Sequence, residues 1–137
     1  MTPREIVQEL DKHIVAMESD NGVFKPSGIV FAGTPEGLGV MREVSRLLRT
    51  AGADSIVAGG PEPDVWPLNQ LGVPAASINV DPTRYFWYHH TMADTIDKLD
   101  PRELALCTAV MAVVVNTVAN MEGTIPRPPI SDQGLRR

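Results

Sequence analysis

The sequence predicts an α/β fold in which helices cover a β-sheet. Short apolar runs alternate with helix-like segments along the 137-residue chain, and such alternation is typical of α/β sandwiches. Two segments, beginning at Thr34 and Asp100, combine a capping side chain with a following proline, which marks the first turn of a helix. With 43% hydrophobic residues the chain can bury one core, so we expect a single domain.

Turn residues and apolar periodicity divide the chain into its predicted elements. The predicted strands are residues 13–17, 28–32, 55–58 and 75–78. The predicted helices run from Thr2 to about Asp11, from Thr34 to Gly52, and from Asp100 to about Met121. The last helix is apolar nearly all round, so we expect it to be largely buried. Residues 1–124 form the predicted domain, and the proline-rich residues 125–137 are predicted to be a disordered tail.

Composition excludes several classes of function. The net charge of −5 and the pI near 5.1 provide no basic surface for nucleic acid. Residues 104–115 are too short an apolar run to span a membrane, so no membrane contact is expected. The amino-terminal residues lack a run of signal-peptide length, which makes a cytoplasmic location the default expectation. Cys107, the single cysteine, lies in an apolar helical run and is interpreted as a small core residue.

Two adjacent imidazoles, His89 and His90, make the most informative segment of the chain. They follow Tyr88 and lie in a predicted loop between an apolar strand and the last helix. Histidine is a common metal ligand, so the pair indicates metal chemistry. Side chains alternate in extended backbone, so at most one of the two would face a given metal.

Asp20, at the end of the first predicted strand, is a second candidate ligand. Ligand sites in α/β sheets lie at the carboxyl ends of strands. From these residues alone, an Asx-turn that reverses the chain at Asn21-Gly22 is the favoured explanation of the same residue. Asp64 and Trp66 are candidates for lining a pocket, although a tryptophan beside prolines also fits a packed corner.

Three separate motifs give the chain a family resemblance. Residues 16–22, residues 71–75 and residues 85–95 with Asp100-Pro101 are similar, in order and spacing, to the last part of the co-catalytic di-zinc exopeptidases, in particular the carboxypeptidase Q-like metallopeptidases. The resemblance covers roughly residues 12–127. It implies a three-layer sandwich, a mixed sheet flanked by helices, as the C-terminal portion of a zinc-peptidase fold. It also implies hydrolysis of terminal residues of small peptides.

The resemblance assigns roles residue by residue. Asp20 matches the carboxylate that holds one zinc ion, and His90, directly before Thr91, matches the imidazole that holds the other. His89 would be a neighbour in the substrate pocket rather than a ligand. Asp64 and Trp66 match the segment that shapes the pocket, and Tyr88 matches a position from which some relatives contact the reaction intermediate.

The chain also departs from the family pattern. Relatives complete the two metal sites with a histidine, a bridging aspartate and a Glu-Glu pair whose first member is the general base. No Glu-Glu dipeptide occurs in this sequence, and His13 is the only histidine before Asp20. Zinc sites usually need three or four protein ligands, so we expect the chain to be inactive on its own.

Two functions therefore stay open. The chain is either an enzyme portion, completed by an N-terminal fragment that supplies the other ligands, or a non-catalytic interaction module that forms homo-oligomers through an uncovered sheet edge. Neither alternative specifies the peptide substrate.

Overall fold

A four-stranded mixed sheet is the centre of the fold, which was obtained as a computed structural model describing residues 9–131. The strands are β1 (Ala16–Glu18), β2 (Pro26–Ala32), β3 (Ser55–Ala58) and β4 (Ala75–Val80). They are arranged in the order β1-β4-β2-β3. β1 is parallel to β4 and β2 is parallel to β3, whereas β2 and β4 are antiparallel. The predicted α/β sheet flanked by helices is confirmed.

Capping side chains begin the two longer helices where the sequence predicts. The α-helices are α1 (Pro35–Ser45), α2 (Trp66–Gln70), α3 (Tyr85–Tyr88) and α4 (Pro101–Asn120). Thr34 accepts a hydrogen bond from the Gly37 N–H at 3.0 Å, and Asp100 accepts one from the Arg102 N–H at 2.7 Å. α1 is followed by a 3₁₀ segment that ends at Gly52, which has a left-handed φ of 66°. Most of the predicted first helix lies outside the described residues.

The two faces of the sheet are covered differently. Large side chains such as Ile29 and Phe31 form the main core on the face covered by α1 and α4. The opposite face carries small alanines, among them Ala16 and Ala75. The leucine of α2, Leu68, packs against them. Because strand side chains alternate, Glu18 of β1 shares this second face with the alanines. The helices thus form layers on both sides of the sheet.

The prediction that the last helix is largely buried is wrong. In α4 one stripe is buried, consisting of Cys107, Val110, Val114 and Val118. Leu104 and Val115 are 43% and 47% exposed, because within residues 9–131 no further layer covers the outer side of the helix. By length and composition alone α4 could also cross a membrane, and its buried stripe belongs to the main core.

The predicted disordered tail does not fit residues 125–131. Ile125 is fully buried in the main core. The Arg127 guanidinium donates a hydrogen bond to the carbonyl oxygen of His13 at 2.7 Å, and the Ser131 N–H donates one to the Gln70 carbonyl at 2.9 Å. One aliphatic side chain and a few backbone contacts fix this segment despite its prolines. Residues 132–137 lie outside the described part of the chain.

Candidate active site

The loop after β1 places Asp20 at the carboxyl end of that strand. Asp20 is exposed. Two residues later Gly22 has φ 78°, and a Cβ atom there would lie 2.9 Å from the Phe24 ring. A side chain at this turn is therefore disfavoured both by the backbone conformation and by space. Glycine at this position lets the chain turn sharply after Asp20.

The two histidines follow α3 and extend a stack of rings that begins at Tyr85 in that helix. The rings of Tyr85 and His89 are stacked with centroids 4.4 Å apart, and those of His89 and His90 with centroids 3.9 Å apart. His90 has φ 57°, which is uncommon for a residue other than glycine. Such backbone conformations cluster at functional sites. The adjacent imidazoles therefore lie side by side rather than pointing to opposite sides, as extended backbone would place them.

Tyr85 connects this stack to the carboxylates. Burial raises the pKa of its phenol, and the negative charges of Asp20, Glu62 and Asp94 raise it further. Charges act on a titrating group most strongly when they lie close to it. Asp20 is therefore close enough to Tyr85 for its charge to act on the phenol.

Asp64 and Trp66 lie beside the loop that carries Asp20. The Asp64 N–H donates a hydrogen bond to the Glu18 carboxylate at 3.1 Å, and Asp64 itself is exposed. Trp66 is half-buried at the first position of α2. Their assignment to a substrate pocket stays a prediction.

Tyr88 faces a different environment. Like Tyr85, it packs partly against the main core, but the groups whose pKa it helps to raise are the cations Arg84 and Lys98. Tyr85, which the sequence did not single out, is the tyrosine whose pKa is raised by the charges of carboxylates. The role predicted for Tyr88 is untested, and we note Tyr85 as a second candidate for contact with a substrate.

Glu62 is a further residue that sequence reasoning missed. Its carboxylate accepts hydrogen bonds from the Asn21 amide at 2.7 Å and from the Ser77 hydroxyl at 3.4 Å. In the sequence Glu62 is a lone acidic residue between two prolines. No local signal shows that it contacts residues 41 positions away.

Comparison with known proteins identifies the family. The sequence profile of Peptidase family M28 matches residues 5–115. The chain belongs to peptidase family M28. It is 36% identical to carboxypeptidase Q of Mus musculus over 118 residues, and 42% identical to that of Xenopus laevis over 113 residues. The predicted carboxypeptidase Q-like resemblance is confirmed.

A solved structure supports the same conclusion. The crystal structure of a peptidase M28 precursor from Shewanella amazonensis SB2B superposes with a TM-score of 0.80 at 34% identity, over 92% of this chain and 29% of that one. The alignment with the mouse protein covers 86% of this M28 chain but only 25% of the mouse protein. It thus spans about a quarter of the relatives that it matches.

The donor groups of the described part of this M28 chain do not by themselves fit a zinc ion. Peptidases of the family are generally metal-dependent, and carboxylate and imidazole are suitable zinc ligands. Within residues 9–131, however, no three histidine, cysteine or acidic side chains converge on a common point. Asp20 and His90 therefore need further donors before either could be part of a closed site.

Cys107 takes no part in this site. It is buried in α4, and its thiol donates a hydrogen bond to the Phe24 carbonyl at 3.2 Å. Burial, together with the nearby Glu103 carboxylate, raises the pKa of the thiol. A raised pKa disfavours the reactive thiolate, which agrees with a core residue and not with a nucleophile.

Proposed function

We propose that this chain is the C-terminal portion of a zinc-dependent exopeptidase that hydrolyses terminal residues of small peptides. Its contribution to the reaction is Asp20 and His90 as metal ligands, with Asp64, Trp66 and His89 beside the substrate. The observation that carries the proposal is the ring stack in which Tyr85 packs through His89 onto His90, together with the turn at Gly22 that follows Asp20 at the carboxyl end of β1.

We further propose that the chain does not hydrolyse peptides alone. The described residues supply too few donors for a closed zinc site, and the Glu-Glu pair that provides the general base in relatives is absent from the sequence. Hydrolysis by metal-bound water needs both the metal and a base. A second polypeptide segment must then bring these groups to Asp20 and His90.

The isolated chain is expected to bind zinc weakly and without defined stoichiometry. With one predicted ligand for each of two ions, neither ion has the three or four ligands that a stable site requires. Calorimetric titration of the 137-residue chain with zinc measures this directly, and His13→Ala is the matched control for adventitious imidazole binding. Sub-micromolar binding of two ions per chain, abolished by His90→Ala, would contradict the expectation.

The alternative function is an interaction module that associates through uncovered surface. Within residues 9–131, β1 pairs with β4 on one side and with no strand on the other. Beside β1, an apolar groove of about 440 Å³ runs along α4 and includes Val23, Ile78 and Met111. Proteins seldom leave a strand edge and an apolar face of this kind open. These features favour a partner, either a second copy or a complementing fragment.

Sedimentation at several concentrations distinguishes these partners. If the open surface binds a second copy, the chain is expected to form larger species as its concentration rises. Leu104→Glu, which places a charge in the groove, should then weaken association, whereas Arg102→Glu on an exposed part of the same helix should not. A monomer that persists at all concentrations and melts cooperatively would exclude self-association and leave the complementing fragment as the partner.

A further inference from the structure

We propose that Glu62 is a positioning residue that holds the loop carrying Asp20 against the sheet. Residues 19–22 form this Asp20 loop. Residues 61–65, which follow β3, form the Glu62 loop. The inference rests on the proposed function in one respect, which is the role given to Asp20. The hydrogen bonds of Glu62 involve neither metal nor substrate.

The Glu62 carboxylate joins the Asp20 loop to a buried strand. One carboxylate oxygen accepts a hydrogen bond from the Asn21 side-chain amide at 2.7 Å. The same oxygen accepts a second, longer hydrogen bond from the hydroxyl of Ser77 at 3.4 Å. Ser77 is buried in β4, so the contact ties a surface loop to the interior of the sheet.

A second carboxylate makes the reciprocal connection. Glu18, at the end of β1, accepts hydrogen bonds from the backbone N–H groups of Asp64 and Val65 at 3.1 and 3.4 Å. Glu18 is paired with Ser77 across β1 and β4. Glu62 therefore holds the Asp20 loop, and Glu18 holds the Glu62 loop. Together they fix Asp20 and Asp64 relative to each other.

Glu62 is well placed to act as the anchor. Its backbone lies between Pro61 and Pro63, and its carbonyl oxygen accepts a hydrogen bond from the Trp66 N–H at 2.9 Å, at the start of α2. Because this backbone is already restrained, little further entropy is lost when the side chain binds Asn21. A hydrogen bond to a charged acceptor is also stronger than one between neutral groups.

The consequence concerns the exposed Asp20. Its own surroundings do not enclose it, so its position follows from the backbone of the adjacent Asn21 and Gly22. A loop that moves by an ångström places a functional group where it contributes far less. Glu62 thus determines where the Asp20 carboxylate is presented without touching a substrate.

Amide hydrogen exchange of the full 137-residue chain tests this role. Glu62→Ala and Asn21→Ala are each expected to speed exchange of the Asp20 loop about tenfold, since each removes the charge-assisted hydrogen bond between Glu62 and Asn21. The double variant is expected to exchange no faster than either single variant. Glu62→Gln, which keeps an acceptor oxygen, should recover most of the protection. Amides of α4 are the internal reference for global unfolding, and Asp54→Ala, which removes an exposed ion pair with Arg49, is the control variant.

Two results would overturn the inference. One is unchanged exchange of the Asp20 loop in Glu62→Ala, and the other is additive effects of Glu62→Ala and Asn21→Ala. Because exchange is measured without metal or substrate, failure here is separate from failure of the proposed peptidase function. In a reconstituted enzyme Glu62→Ala should lower kcat/KM by about tenfold or more and Glu62→Gln by less, as expected for a residue that acts through Asp20.

Discussion

When this chain is mixed with the N-terminal part of a related carboxypeptidase Q, we expect zinc-dependent hydrolysis of a dipeptide. Asp20→Asn and His90→Ala should then each lower kcat/KM by more than about 100-fold. Loss of a residue that merely supports a metal ligand costs about 10–100-fold, so loss of a ligand itself should cost more. The measurement is the initial rate of hydrolysis in the mixture, with and without a chelator.

His89→Ala is the matched control for this experiment. His89 is the neighbouring imidazole and stacks directly on His90, but the proposed function gives it no metal. Its substitution should cost clearly less than that of His90. Robust hydrolysis by the 137-residue chain without any partner, unaffected by Asp20→Asn and His90→Ala, would refute the proposed mechanism and require another nucleophile.

Local signals predicted the parts of the fold that depend on neighbouring residues. Thr34 and Asp100 begin helices because their side chains accept hydrogen bonds from N–H groups two or three residues ahead, which a short motif encodes. Residues 55–58 were predicted as a strand and are β3. The first strand was predicted at residues 13–17 but is Ala16–Glu18 in the structure. The difference arises because the pairing of Ala16 with Ala75 determines where the ladder begins.

Features that depend on distant residues were missed. The apolar content of α4 suggested burial on all sides, but burial depends on how many layers the rest of the chain provides. Residues 125–131 were expected to belong to a disordered tail because of their prolines, whereas Ile125 is buried in the main core. Both errors arise because composition does not reveal which surfaces are available for packing.

The candidate site shows the same division. Asp20 and His90 were predicted from two separate motifs, each a contiguous stretch of sequence. Glu62 and Tyr85 were not, since the relevance of Glu62 comes from its contact with Asn21, and that of Tyr85 from the charges of carboxylates far away in the sequence. Residues that position functional groups are recognised by geometry, and geometry joins segments that are far apart in the chain.

Phe31→Ala is expected to lower the free energy of unfolding by about 3–5 kcal/mol. Phe31 is 1% exposed at the centre of the main core. Its ring fills the space left by two glycines, because Cβ atoms at Gly33 and Gly37 would lie 2.5 and 3.1 Å from it. Removing the ring leaves a cavity that these glycines cannot fill. Since domains of this size are stable by about 5–15 kcal/mol, urea denaturation should show a large loss.

Phe86→Ala is the matched control, because it removes the same ring from the surface. Phe86 is 78% exposed, and its ring makes edge-to-face contacts with Tyr85 at 5.0 Å and with His89 at 6.2 Å. Such pairs contribute about 0.5–1.5 kcal/mol each beyond burial, and the lower end applies to a mostly exposed ring, so the loss should be below about 1.5 kcal/mol. Equal losses for the two variants would mean that the face of the sheet covered by α1 and α4 is not the stabilising core. A much larger loss for Phe31→Ala would show that this portion of an M28 fold holds its own core.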